Sequence, residues 1–292
     1  MKNFQELTER IFQQTYGFLS ENLKGEELDK VRNAIIELRD SYASNVCTPL
    51  YHREEIRKAY MIAYYPYYIY PVYGVLTQIF RFKKMAETLA HWREKINPIR
   101  LSYIAGGPCP EFYGTVMALK DSGFDNDIHA EIYDIEEGWR DFQNITLDLC
   151  KNYYGKNISI NFSSGYDVMN SSDYELCDGT DILFMQNYLS HVSFADDFLE
   201  SFKNIIDSDK FSTIIILDLN YGSTSFILDK ICSGYFKSKH NLSTVVKNID
   251  LVLTETHPNP SRGIQKIFSY EIDGIHYPKK YTKYYYAVLR KK

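Results

Sequence analysis

Two glycines and one acid stand at a spacing that could hold the sugar of a nucleoside. Gly106 and Gly107 follow the apolar run 99–105, and a helical pattern begins after them. Because glycine has no Cβ, the backbone can bend here and a ligand can approach it closely. Asp134 lies 27 residues after Gly107, at the end of the next apolar run, where an acid can accept hydrogen bonds from ribose hydroxyls. The pairing predicts a site for a nucleoside-containing cofactor.

Other polar residues follow later apolar runs. Ligands bind outside the carboxyl ends of the strands in an open α/β sheet, so these positions are candidates for the same site. Asp167 could accept a hydrogen bond from an adenine amino group or simply form a turn. His191 could act as a general base or be an ordinary packed histidine. Asp218 and Asn220, which end the fifth run, could face the substrate.

A group of tyrosines precedes the glycine turn. It could pack a kinked helix onto the sheet, or it could form a lid whose aromatic faces attract a cation. Tyr64 and Tyr68 are our candidate substrate residues from this group. Its members are Tyr60, Tyr64, Tyr65, Tyr67, Tyr68, Tyr70 and Tyr73.

The composition excludes several classes of protein. The five cysteines include no C-x-x-C pair, which argues against a disulfide framework or a zinc site and for a reducing cytoplasmic location. Cys109 is expected to fill space rather than act as a nucleophile, and no His, Cys and acid cluster has metal-ligand spacing. A net charge of -5 disfavours nucleic acid as a partner without excluding it. No signal peptide and no apolar run of about 18 residues is present, so no membrane association is expected.

The periodicity divides the chain into two parts. Apolar residues recur at helical spacing up to about residue 95, with Pro66 and Pro71 expected to kink or break one helix. From Ile99 onward, short apolar runs alternate with helical stretches, which indicates repeated β-α units. We therefore predict an α/β fold with a Rossmann-like, mainly parallel seven-stranded sheet over residues 96–292. An all-α domain, serving as a lid or substrate domain, would occupy residues 1–95.

The segments "YIAGGPCPEFYG" and "AEIYDIEEGW" resemble the first two motifs of class I S-adenosylmethionine-dependent methyltransferases. "TDILFMQNYLSHV" resembles the motif on the fourth strand of that superfamily, and the resemblance covers roughly residues 96–292. Ala105 and Cys109 stand where the family usually has glycine, and Tyr103 replaces an acid often found before the turn. The resemblance implies a transferase that binds S-adenosyl-L-methionine.

The resemblance also implies roles for individual residues. Gly106 and Gly107 would line the methionyl part of the cofactor, Asp134 its ribose, and Asn187 and Tyr188 the reacting end, with His191 nearby. The cofactor-binding set expected in this way comprises Ala105, Gly106, Gly107, Pro108, Glu111, Asp134, Ile135 and Asp167.

Two other functions stay open at this stage, and a nicotinamide enzyme is disfavoured. The turn also resembles that of nicotianamine synthases, which transfer the aminobutyl arm of the same cofactor, and Gly107, Pro108 and Pro110 match that pattern. A nicotinamide enzyme would require a cleaner G-x-G-x-x-G pattern. A non-catalytic scaffold that only binds the cofactor is the second open alternative. The sequence does not identify the acceptor, although a small molecule or protein is favoured over RNA, and it does not predict the oligomeric state.

Overall fold

The computed structural model describes residues 4–43, 50–155, 157–167, 179–189, 198–208, 210–219, 222–253, 260–268 and 282–292. The described part before residue 95 is helical. Its helices are α1 (Phe4–Tyr16), α2 (Gly25–Ala43), α3 (Glu54–Ala63), α4 (Tyr65–Ile79) and α5 (Ala86–Glu94).

The two prolines behave differently. Pro66 stands in the first turn of α4, where a missing N–H costs no hydrogen bond, and the chain breaks between α3 and α4 at Tyr64 as predicted. Pro71 lies inside α4 without ending it.

The second part contains a seven-stranded sheet in the order β3-β2-β1-β4-β5-β7-β6. The first five strands run parallel, and β7 runs antiparallel to both of its neighbours. The predicted Rossmann-like, mainly parallel sheet is thus confirmed. Its strands are β1 (Ile99–Ile104), β2 (Ile128–Asp134), β3 (Ile158–Ser164), β4 (Thr180–Gln186), β5 (Phe211–Leu219), β6 (Leu242–Leu253) and β7 (Thr282–Lys291).

The strand β6 begins at Leu242, earlier than the periodicity indicated, and β7 inserts between β5 and β6. The helices that connect the strands are α6 (Pro110–Asp121), α7 (Arg140–Tyr154), α8 (Phe198–Asp207), α9 (Gly222–Ile231), α10 (Gly234–Lys239) and α11 (Arg262–Ile267).

The sheet is buried on both faces. Along β5, Ile215 and Leu217 join one core while Ile214 and Ile216 join the other, as a side-chain period of two requires. The run of apolar residues in β5 therefore has the burial that its composition predicted.

The helices before residue 95 contribute to one of these cores. Phe4 of α1 and Tyr65 of α4 belong to the same buried cluster as Leu101 and Tyr103 of β1. A further cluster joins α1, α2 and α3 to α11. The helical segment thus covers one face of the sheet.

The helices that follow β1 and β4 pack on opposite faces of the sheet. Phe112 and Val116 of α6, which follows β1, lie in one core, whereas Phe202 and Ile205 of α8, which follows β4, lie in the other. Since β1 and β4 are neighbours, a crevice opens beyond their carboxyl ends, and open α/β sheets bind ligands at such a switch point.

Candidate functional site

The backbone beyond β1 and β4 takes an uncommon conformation on both sides of the crevice. Ala105 follows β1 with φ 53°, and Asn187 follows β4 with φ 52°. Cys109, which precedes α6, has φ 58°. Left-handed non-glycine residues store strain and cluster at functional sites. Their position therefore marks the same crevice as the sheet topology does.

Each glycine of the turn has a packing reason of its own. A Cβ on Gly106 would lie 2.8 Å from Cγ2 of Ile132 in β2, closer than real Cβ atoms approach. Gly107 has φ 51°, and a Cβ there would lie 3.5 Å from the ring of Trp139. The chain's own side chains thus occupy the space that these glycines leave.

Side chains from β2 and α7 fix the polar groups of the turn. The N–H of Gly107 donates to Oδ2 of Asp134 at 2.7 Å. Nε2 of Gln143 donates to the Gly107 carbonyl at 2.6 Å, and Oγ1 of Thr146 donates to the Pro108 carbonyl at 2.7 Å. Sequence reasoning missed Gln143 and Thr146, whose spacing of three on α7 was the available signal.

Asp134 lies where the sequence placed it, beside the glycine turn. Only 7% of its surface is exposed, and its second oxygen, Oδ1, accepts from the N–H of Glu136 at 2.9 Å. Burial raises the pKa of the Asp134 carboxyl to about 6, although backbone N–H donors of Glu136, Gly107 and Ile135 oppose the shift. Each carboxylate oxygen accepts more than one hydrogen bond, so both retain capacity for a ligand hydroxyl.

An apolar surface adjoins this carboxylate. Ile135 is 65% exposed directly after β2, which is unusual for a large aliphatic side chain at the end of a central strand. Asp167 is half-buried beyond the end of β3, and Tyr166 beside it donates its N–H to the Asp134 carbonyl at 3.0 Å. The ends of β2 and β3 therefore carry an apolar side chain and two acids close together.

Glu111 is buried in the first turn of α6, with 3% of its surface exposed. Burial raises the pKa of its carboxyl to about 8, and the nearby Asp134 adds to the shift. Glu111 therefore keeps its proton at neutral pH.

Aromatic rings from the helical segment lie over the turn. Trp139, which contacts Gly107, has its ring 4.9 Å from Tyr51 and 5.6 Å from Tyr60. Tyr60 stacks on Tyr64 at 5.7 Å, Tyr64 lies 6.0 Å from Tyr68, and Tyr42 lies 5.2 Å from Tyr64. We call these residues the tyrosine cluster: Tyr42, Tyr51, Tyr60, Tyr64, Tyr68 and Trp139.

The residues at the ends of β4 and β5 are less accessible than expected from the sequence. Tyr188 packs into the core on the α8 face, and Asp218 is 1% exposed with Oδ1 accepting the N–H of Leu219. Asn187 donates its backbone N–H to the Leu217 carbonyl at 2.9 Å. His191 and Asn220 lie outside the described residues.

Gln186, the last residue of β4, was not singled out from the sequence. It is 5% exposed, and its Nε2 lies 3.4 Å from the carbonyl of Tyr68 in the tyrosine cluster. Its Oε1 is buried without a hydrogen-bond partner among the described residues. The contact ties the end of β4 to the tyrosine cluster.

A cavity of about 550 Å³ lies beside this site, between α7 and the β2–β3 edge. Glu131, Arg140, Gln143, Asn144 and Asn161 contribute to its walls. It reaches Gln143 but does not include the glycine turn or Asp134.

Neither a metal-binding cluster nor a membrane-spanning helix occurs among the described residues. They contain no group of three or more His, Cys, Asp or Glu side chains that could hold a metal ion. None of the described helices has both the length and the apolar character needed to cross a bilayer.

No protein-family model matches the chain, and no curated protein sequence matches it. Solved structures do match the chain. StiE O-MT residues 942-1257 is 13% identical over 73% of this chain and 72% of its own, with a TM-score of 0.41. The plantazolicin methyltransferase BpumL in complex with SAH is 10% identical over 89% of this chain and 100% of its own, with a TM-score of 0.37.

An rRNA methylase from Escherichia coli is 13% identical over 99% of this chain and 100% of its own, with a TM-score of 0.37. These three structures carry methyltransferase or methylase names.

Proposed function

We propose that this chain is an S-adenosylmethionine-dependent methyltransferase whose cofactor lies along the carboxyl ends of β1, β2 and β4. The supporting observation is the Asp134 carboxylate, fastened to the Gly107 N–H at 2.7 Å at the switch point of the sheet. The acid predicted to grip a ribose and the turn predicted to carry the methionyl part are thus in direct contact.

The residues present fit such a cofactor. Asp134 would accept a hydrogen bond from a sugar hydroxyl, and the exposed Ile135 offers an apolar surface for a base. Asp167 follows Tyr166, whose N–H bonds the Asp134 carbonyl, and would meet the edge of that base. Beyond β1 and β4, Ala105 and Asn187 flank the place where the reacting end would lie.

The work of the protein in such a reaction is positioning. S-adenosylmethionine supplies an electrophilic methyl group when it is bound. Holding two reactants in line can supply about 7–11 kcal/mol of the barrier. The fixed turn, clamped by Gln143 and Thr146, orients one reactant, while the tyrosine cluster shapes the acceptor side and excludes water. His191 remains our proposed base.

Calorimetry of the full chain with S-adenosylhomocysteine tests the proposal. We expect binding by the wild type and a loss of about 10- to 100-fold in Asp134→Asn, since a hydrogen bond to a charged group contributes roughly 1.5–3 kcal/mol. Asp127→Asn, the same substitution at an exposed residue just before β2, is the control and should bind normally. No binding by the wild type, or equal binding by Asp134→Asn, would contradict the assignment.

The spent cofactor identifies the transfer. Methyl transfer leaves S-adenosylhomocysteine, whereas transfer of the aminobutyl arm leaves methylthioadenosine, and mass spectrometry separates the two. We expect the former. Binding with no product from any acceptor would favour the scaffold.

A further inference from the structure

Arg57 is a buried cation that the helical segment places against the loop 135–138, which follows β2. It belongs to α3, and 11% of its side chain is exposed. A Cβ added at Gly138 would overlap Cζ, Nη1 and Nη2 of Arg57. The guanidinium therefore fills the space that a side chain at position 138 would take, and only glycine leaves that space free.

The guanidinium has partners on both sides of this contact. Its Nη1 donates to the Tyr51 carbonyl in the helical segment. The same Nη1 lies 3.7 Å from Oε1 of Glu136 in the loop, and Cζ lies 5.9 Å from the centre of the Phe142 ring in the first turn of α7. Arg57 thus joins the helical segment to the loop that follows β2.

The loop in turn holds Asp134. The N–H of Glu136 donates to Oδ1 of Asp134 at 2.9 Å, and Oε1 of Glu136 accepts the N–H of Gly138 at 2.9 Å. The other oxygen of Asp134 accepts the N–H of Gly107 in the glycine turn. One chain of contacts therefore runs from Arg57 through Glu136 to Asp134.

Packing alone does not explain an arginine at this position. Its Nε is buried without a hydrogen-bond partner among the described residues, and an unsatisfied buried donor lowers stability. Glu136, however, brings a second negative charge beside Asp134, and repulsion between two carboxylates disfavours the ionised form. A cation paired with Glu136 offsets that repulsion.

We propose that Arg57 is a positioning residue for the cofactor, which acts through Glu136 to fix the loop after β2 and to keep Asp134 ionised as the acceptor of a ribose hydroxyl. This inference rests on the proposed function. Because Arg57 acts on the cofactor only through the loop, the helical segment takes part in cofactor binding as well as covering the sheet.

The charged and titratable groups around Asp134 set the expected pH dependence. They are Glu136 in the loop, Glu111 in the first turn of α6 and Cys109 before that helix. Burial, the larger cause, and the charge of Glu136 raise the pKa of Asp134 to about 6, against hydrogen bonds from the backbone. Removal of the Arg57 charge leaves Glu136 without its partner, so the pKa of Asp134 should rise further.

Nuclear magnetic resonance of the full chain, with isotope-labelled aspartate side chains, measures this pKa, and Asp134→Asn assigns the signal. We expect Arg57→Met to raise the titration midpoint by about 0.3–0.7 pH unit, the range of a partly screened charge pair. In a Glu136→Gln background the same substitution should leave the midpoint unchanged, because the charge through which Arg57 acts is gone. Equal midpoints in wild type and Arg57→Met, or equal shifts in the two backgrounds, would overturn the inference.

Calorimetry with S-adenosylhomocysteine tests the same link in binding. Arg57→Met should weaken binding, and the loss should be about 2-fold larger at pH 6 than at pH 8, since the ionised fraction of Asp134 changes most near its own midpoint. Arg53→Met is the matched control, because Arg53 precedes the same helix, pairs with Glu37 and Glu55, and should bind normally when replaced. An equal loss at the two pH values would show that Arg57 supports only the fold.

Gly138→Ala tests the link without removing the arginine, and it carries the test if Arg57→Met does not fold. The added methyl group displaces the guanidinium, so the midpoint of Asp134 should shift in the same direction as in Arg57→Met. Gly234→Ala is the control, since its Cβ position is open. Equal midpoints in the two alanine variants would contradict the proposed link.

The two proposals fail separately. If S-adenosylhomocysteine does not bind the wild type, the proposed function falls, and the midpoint of Asp134 in the free chain still decides whether Arg57 acts on it. If S-adenosylhomocysteine binds and Arg57→Met leaves the midpoint in place, the proposed function stands and the role of Arg57 is wrong.

Discussion

Glu111 shows how burial sets the chemistry of one residue. Its position in the first turn of α6 would favour a charged carboxylate, because helix N-termini attract anions. Burial leaves only 3% of Glu111 exposed, acts in the opposite direction and raises the pKa of the carboxyl to about 8. Desolvation therefore dominates, and the carboxyl keeps its proton at neutral pH.

The raised pKa makes stability depend on pH. Between about pH 4.5 and 8 the folded chain holds a proton on Glu111 that the unfolded chain has lost. The contribution of this group to the free energy of unfolding is therefore fully present below about pH 4.5 and is lost as the pH rises to about 8. Each unit of pKa shift corresponds to about 1.4 kcal/mol. Urea unfolding of Glu111→Gln should show a flatter dependence than wild type from pH 6 to 8. Below pH 6 a slope of the same sign remains, because the pKa of Asp134 is also raised. Parallel curves for the two proteins would contradict the assignment.

Helices α4 and α6 show what an element contributes to the site. They meet at Gly114, where an added Cβ would lie 2.5 Å from the Ile69 carbonyl oxygen and 3.0 Å from Cβ of Val72. This close approach holds the helix that carries Tyr68 against the helix that begins at the glycine turn. From the sequence alone, a glycine inside a helical pattern indicates only a residue that weakens the helix, not a contact between two helices.

Gly114→Ala should separate these helices. We expect it to lower the free energy of unfolding by about 1–3 kcal/mol, the usual cost of overpacking. Gly234→Ala is the matched control, because nothing lies within 4 Å of its Cβ position, and its effect should be neutral or stabilising by up to about 1 kcal/mol. Urea unfolding measures both, and equal effects would show that the helices do not need this contact.

At the scale of the whole molecule, the helical segment and the sheet share buried surface. Phe4 and Tyr65 belong to the same core as Leu101 and Phe184. The two sides of the predicted division near residue 95 therefore share one core. Helices that bury part of their apolar surface in the core of the sheet should unfold with it.

The two tryptophans test this coupling. Trp92 lies in α5 and Trp139 beside the glycine turn, so Trp139→Phe reports on the helical part and Trp92→Phe on the sheet part. In each variant we expect tryptophan fluorescence and far-UV circular dichroism to change together in a single urea-induced transition. Separate midpoints within either variant would show that the two parts unfold independently.

The sequence by itself determined the order of the elements and the position of the turn and its acid. Strand and helix periods are local, and the spacing from Gly107 to Asp134 is that of one β-α-β unit, so both could be predicted from the chain. Only the tertiary structure decided which side chains meet there. Gln143 holds the turn, Gln186 meets Tyr68, and Trp139 covers Gly107 through contacts between residues far apart in sequence. Strand order and such contacts depend on packing across the whole chain, and no local pattern encodes them.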